Sequence, residues 1–144
     1  MKFSANSSRI FIATIFMTPI LLAACAAKSS DEAQVRTLID SVEAAAEARD
    51  ASDVLDYVAD NYADSNGLDK PQLQNFLRGY FLAHPKLELV VNIESLEFPV
   101  DGLAQAVVSV ATVALGDPDL QRLKVEFRRT GGQWRVTRAD RVSR

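Results

Sequence analysis

One cysteine and one histidine in 144 residues limit the chemistry before any motif is read. A lone cysteine closes no internal disulfide and builds no thiolate zinc site. With His84 the only histidine, a site of several imidazoles is excluded too, and neither a metal nor a cofactor is expected. Long apolar runs are also missing. The most apolar stretch, residues 10–24, is 15 residues long and is interrupted by Thr14, Thr18 and Pro19. A membrane span needs about 20 consecutive apolar residues. Basic charge is scarce: 16 Lys and Arg against 19 Asp and Glu give a net −3, a poor footing for nucleic-acid binding. There are no internal repeats.

What is present starts with the order of the first residues. Lys2 and Arg9 precede the apolar stretch, which ends Leu22-Ala23-Ala24-Cys25. A positive start, an apolar middle and small residues at the end make an export signal. This one resembles a bacterial lipoprotein signal. The resemblance implies cleavage between Ala24 and Cys25, and a thioether from Cys25 to a diacylglycerol. One acyl chain of about 0.8 kcal/mol per buried methylene holds only marginally, so two or three chains make a durable anchor. Ala26 is not the aspartate that commonly retains lipoproteins at the inner membrane, so the outer membrane, facing the periplasm, is expected. The layout is a signal peptide at 1–24, a lipidated cysteine and short linker at 25–30, and a domain at 31–144. Five residues, 26–30, separate anchor from domain, and they reach at most roughly 18 Å.

Removing Lys2 and Arg9 with the signal takes the net charge from −3 to −5. The charge is uneven: residues 26–101 carry 15 acidic and 6 basic side chains, residues 102–144 carry 4 and 8. Ser29 and Glu32 have capping-box spacing. Val35, Leu38, Ile39, Val42 and Ala46 then repeat with helical period, leaving Arg36, Asp40, Glu43 and Glu47 as a wet face. A second helix is predicted from about Ser52, with Val54, Leu55, Val58 and Tyr62 inside. Asn66-Gly67 marks a turn. Asp69 and Pro71 open a third helix, whose stripe is Leu73, Phe76, Leu77, Tyr80 and Phe81, and Pro85 ends it. The remainder reads as strands: Leu87, Leu89, Val91 and Ile93 alternate, then a β-rich segment at 104–115, then Leu123, Val125 and Phe127 alternating. Turns are expected at Pro99 with Asp101-Gly102, at 116–119, and at Gly131-Gly132.

Three helices packed on a four-stranded, mainly antiparallel sheet make an α+β fold. The order of helices, Tyr62-Ala63-Asp64 before a turn, Phe76 and Tyr80 in the third helix, and a final Gly-Gly-Gln-Trp-Arg-Val resembles the nuclear transport factor 2-like superfamily. That group includes SnoaL-like and ketosteroid-isomerase-like proteins. The resemblance covers residues 31–140 and implies a cone whose curved sheet and helices enclose a pocket; a cystatin-like roll is the alternative. Tyr57, Tyr62, Asp64, Tyr80 and Trp134 are the pocket candidates.

Isomerases, dehydratases and hydrolases of this superfamily place acid and base groups in an apolar cavity, where burial shifts their pKa values. Here residues 104–115 contain no ionisable side chain. Arg138 and Asp140 share parity with Trp134, which puts them at the pocket rim or in an exposed pair at the strand end. His84 before Pro85 reads as a helix C-terminal residue. Aligning Gly67 with the sixth position of a calcium loop puts Tyr62 first and Leu73 last, where carboxylates are required, so calcium is rejected. Asp53, Asp56, Asp60 and Asp64 make a solvated acidic face. Arg122, Lys124, Arg128 and Arg135 lie on the other side of the sheet from Phe127, with Arg128 opposite Arg135 and a counter-charge due from Glu88, Glu94 or Glu97. Resemblance implies a homodimer through that face. The expectation for the whole is a membrane-anchored domain binding a small apolar ligand or a protein partner; the alternative is an enzyme using Tyr62, Asp64, Tyr80 and the Arg138/Asp140 pair.

Overall fold

The computed structural model describes residues 30–114 and 117–142. The expectations at Ala24 and Cys25 lie outside them. Three helices come first: α1 (Asp31–Glu47), α2 (Ala51–Asp56) and α3 (Lys70–Ala83). Each is capped by a side-chain oxygen on amides that have no intrahelical partner. Ser30 accepts from Ala33 N–H, Asp50 from Ser52 and Asp53, and Asp69 with Gln72 forms a reciprocal capping box. The α1 cap is thus Ser30, one residue later than the Ser29 that spacing suggested. Pro71 sits in the first turn of α3, as expected. No helix among the described residues is long and apolar enough to cross a membrane.

Strands β1 (Glu88–Val100), β2 (Leu103–Ala114), β3 (Asp117–Thr130) and β4 (Gln133–Arg141) follow. They form one open antiparallel meander in the order β1-β2-β3-β4. Gly131 and Gly132 both have positive φ, 60° and 80°, the conformation that suits a two-residue hairpin to twisted strands. Two turns are tighter than the sequence suggested. Pro99 belongs to β1, and Asp117, Pro118 and Asp119 are strand residues paired with Ala114, Val113 and Thr112.

The helices cover one face of the sheet. Val35, Leu38 and Ile39 of α1, Val54 and Leu55 of α2, then Val58 and Tyr62, meet Ala104, Ala106, Val108, Val125, Phe127 and Val136 in one buried core. Both sheet edges are engaged, which protects them from pairing with another chain. On β1, the N–H groups of Leu89 and Val91 donate to Glu47 and Glu43 of α1 at 3.0 and 3.1 Å. On β4, Val136 N–H donates to Tyr57 O and its carbonyl accepts from Ala59 N–H. Phe76, expected on the buried stripe of α3, is 55% exposed; only Phe81 of that helix is fully buried.

Candidate functional site

Between the helices and the inner sheet face lies a cavity of about 260 Å³. Its walls are largely aliphatic: Leu38, Ile39 and Val42 of α1, Leu73 and Leu77 of α3, and Val108, Val110, Leu123 and Val125 of the sheet are among the lining residues, with the Phe127 ring beside them. They line it because each falls on the inward phase of its own period, 3.6 for the helices and 2 for the strands. Two polar side chains, Glu43 and Tyr62, also line it.

Tyr62 is 3% exposed, and its hydroxyl donates to Asp64 Oδ2 at 3.3 Å. Burial pushes the phenol well above its ordinary value, and the adjacent Asp64 carboxylate pushes the same way. The hydroxyl therefore stays protonated and serves as a donor. Asp64 does not join Tyr62 in the cavity wall. Its Oδ1 accepts from the N–H groups of Asn66 and Leu68 at 2.8 and 3.0 Å, closing the turn before α3.

The sequence puts Glu43 on the wet face of α1. Instead its Oε1 is held by Val91 N–H while the side chain lines the cavity. The signal was present: Glu43 is four residues after Ile39 and three before Ala46, so it borders the apolar stripe. It is half-buried, as are Val42, Leu73, Leu77 and Leu89 around it. The cavity therefore meets solvent on this side, between α1, α3 and the start of β1.

The other pocket candidates lie elsewhere. Tyr80 stacks on His84 with ring centroids 4.1 Å apart and packs against Phe76, away from the cavity. His84 ends α3, its Nδ1 2.8 Å from Tyr80 O. Tyr57 and Trp134 flank a separate, polar groove with Thr37 and Ser41. Trp134 is 6% exposed; Phe98 meets it edge-on at 6.0 Å and the Arg129 guanidinium lies 5.5 Å over its ring.

Arg138 and Asp140 do not reach the cavity either. The β3–β4 register shifts between Glu126 and Phe127: Phe127 pairs with Val136, but Glu126 pairs with Arg138. Thr137 is the extra residue of a bulge, which inverts the alternation after it. Ala139 turns inward in place of Arg138 and lines the cavity. Arg138 and Asp140 form an ion pair outside. Burial pushes the Asp140 carboxyl up, but hydrogen bonds from Arg138 and from Ser65 N–H outweigh it and hold it below the usual range. The expected acid–base group is thus dispersed.

The outer face holds the expected basic side chains. Arg128 pairs with Arg135 in register, and each is drawn off to its own partner, Arg128 to Glu126 and Arg135 to Asp56 O and Gln133. Glu94 supplies the counter-charge to Arg122, whose guanidinium holds that carboxyl below its ordinary value. Lys124 is exposed beside them.

No protein-family sequence model matches the chain, and no curated protein matches it in sequence. Solved structures do resemble it. A cystatin-like domain of unknown function from Nostoc punctiforme superposes with a TM-score of 0.70 at 11% identity, covering 81% of this chain and 79% of that one. An NTF2-like protein of unknown function from Shewanella oneidensis gives 0.65 at 16%, covering 79% and 100%. An NTF2-like protein of unknown function from Pseudomonas putida gives 0.62 at 21%, covering 81% and 90%. At such identities the likeness establishes architecture, and it agrees with the three helices and the four-stranded meander: the domain has the nuclear transport factor 2-like, cystatin-like fold.

Proposed function

We propose that this protein is a lipid-anchored, periplasm-facing bacterial lipoprotein whose domain binds a small apolar ligand in the cavity beneath α1 and α3. The observation that carries the binding is the lining: about 260 Å³ walled by apolar side chains, with Glu43 and Tyr62 the polar exceptions. An apolar void of about 150 Å³ is enough to hold benzene, so one or two rings or a short acyl chain is the matching size. Both polar groups already have partners, Val91 N–H for Glu43 and Asp64 for Tyr62. Such a wall selects by shape and dryness. The anchor is supported by the Leu22-Ala23-Ala24-Cys25 sequence behind a basic start.

Native mass spectrometry of the detergent-extracted protein tests the binding. A discrete adduct is expected on the wild type, lost in Leu77→Trp, whose indole fills the space. A wild type free of adduct that also gains no thermal stability from added naphthalene or short-chain alcohols would refute it. The intact mass of the N-terminal peptide tests the anchor: acylated Cys25 is expected, and an unmodified cysteine or a retained Met1 would end that reading. Val90, Val113 and Leu120 are exposed on the outer sheet face, which supports the homodimer through that face.

A further inference from the structure

The end of the domain where α1 begins is built differently from the end where the cavity opens. Asp31, the first residue of α1, lies 2.7 Å from Arg129, and the same guanidinium reaches Asp101 of the β1–β2 turn at 2.5 Å. The start of the domain is thereby clamped to that turn. Beside it stand two large apolar side chains: Phe98 is 38% and Val100 61% exposed. With Asp31 and Glu32 they bound a shallow hollow. From there α1 runs antiparallel along β1, since Glu43 and Glu47 meet Val91 and Leu89 near the strand's beginning. Glu43 lies 12 residues beyond Asp31, which places the cavity side about 18 Å further along the helix.

We infer that the β1–β2 turn, led by Phe98 and Val100, is the face this domain presents to a phospholipid bilayer, with the open side of the cavity turned toward the aqueous compartment. The inference rests on the proposed anchoring at Cys25. Only residues 26–30 join that cysteine to Asp31, and five residues extend at most roughly 18 Å. A short tether entering at one end holds that end against the headgroups. Of the three acidic side chains that bound the hollow, Asp31 and Asp101 share Arg129 and Glu32 pairs with Arg36, so the apolar pair is not isolated from an anionic surface by bare negative charge. Phenylalanine and valine at that height add buried apolar area to the anchor. Ligand then enters from solvent or from a soluble carrier, not laterally from the lipid.

Acylation consumes the thiol of Cys25, so a new cysteine is the single reactive one. Val100→Cys places it at the end of β1 and Lys86→Cys just before the start of that strand, both at exposed positions. Each full-length acylated variant is labelled with a polarity-sensitive fluorophore and reconstituted into phosphatidylethanolamine–phosphatidylglycerol vesicles carrying a nitroxide lipid. Quenching at position 100 should exceed that at 86 by about threefold, because an interfacial side chain penetrates ~5–10 Å. Equal quenching, or more at 86, on protein whose intact mass shows the acyl chains overturns the orientation alone. A mass without acyl chains overturns the anchor beneath it.

Discussion

α1 and α3 are both amphipathic helices of several turns, yet they relate to the sheet in opposite ways. α1 packs on β1, β4 and α2, and buries Val35, Leu38, Ile39 and Ala45. α3 packs mainly on α2 and fully buries only Phe81. Its Leu73 and Leu77 look into the cavity rather than onto the sheet. The void thus arises because one helix stands off, with side chains of ordinary size on both sides. A helix pattern specifies which face turns inward; it does not specify how closely the helix approaches.

Deletions of equal chemistry on the two helices test this contrast most strongly. Leu38→Ala should lower unfolding free energy by about 2–5 kcal/mol, since Leu38 is buried in the core even though it also borders the cavity. Leu77→Ala should lose only about 1 kcal/mol, because a half-buried leucine on the helix that stands off forfeits less buried area. Urea denaturation reads both, and equal losses would break the comparison.

The caps give a smaller effect. Asp69→Ala removes one half of the α3 capping box and should cost about 1–2 kcal/mol, whereas Ser30→Ala on α1 should cost about 0.5–1 kcal/mol. A larger loss at Ser30 would mean that α3 depends less on its local signals than its loose docking implies.

The mildest test concerns Tyr62 beneath α3. Its phenol pKa is raised in the folded state by burial and by Asp64. The native state therefore keeps the proton that the unfolded chain releases near its ordinary value of 10.0. This stability is fully present below that pH and is lost as pH rises through and beyond it. Tyr62→Phe should flatten the alkaline limb of the stability–pH curve while leaving neutral pH little changed. An unaltered alkaline limb would remove Tyr62 as its source.

Most of the architecture could be read from periodicity. Val35 to Ala46 marked α1, Gly131-Gly132 marked the last hairpin, and the alternation of Leu123, Val125 and Phe127 marked the inner face of β3. The cavity was legible only as an expectation of the fold, since its size depends on the stand-off of α3. Its members were partly hidden. Tyr62 lines it, and so does Glu43, whose charge points to solvent while its position borders the apolar stripe. Tyr57, Asp64, Tyr80 and Trp134 lie outside it for separate reasons: a turn claims the carboxylate, ring stacking claims Tyr80, and a neighbouring groove takes Tyr57 and the indole. Arg138 and Asp140 were ambiguous by parity, and only the bulge decided between rim and exterior.

That bulge has a consequence for what the scaffold can become. The side-chain period of a strand is two, so a one-residue change of register exchanges its faces. With Thr137 absorbed as an extra residue, Ala139 faces the cavity and the Arg138–Asp140 pair stays outside. If β4 were to pair straight through, the alanine would leave and the guanidinium and carboxylate would enter the dry wall. The penalty for burying them guards the present register. The apolar character of the wall thus depends on one extra residue in β4: its deletion would exchange Ala139 for charged neighbours.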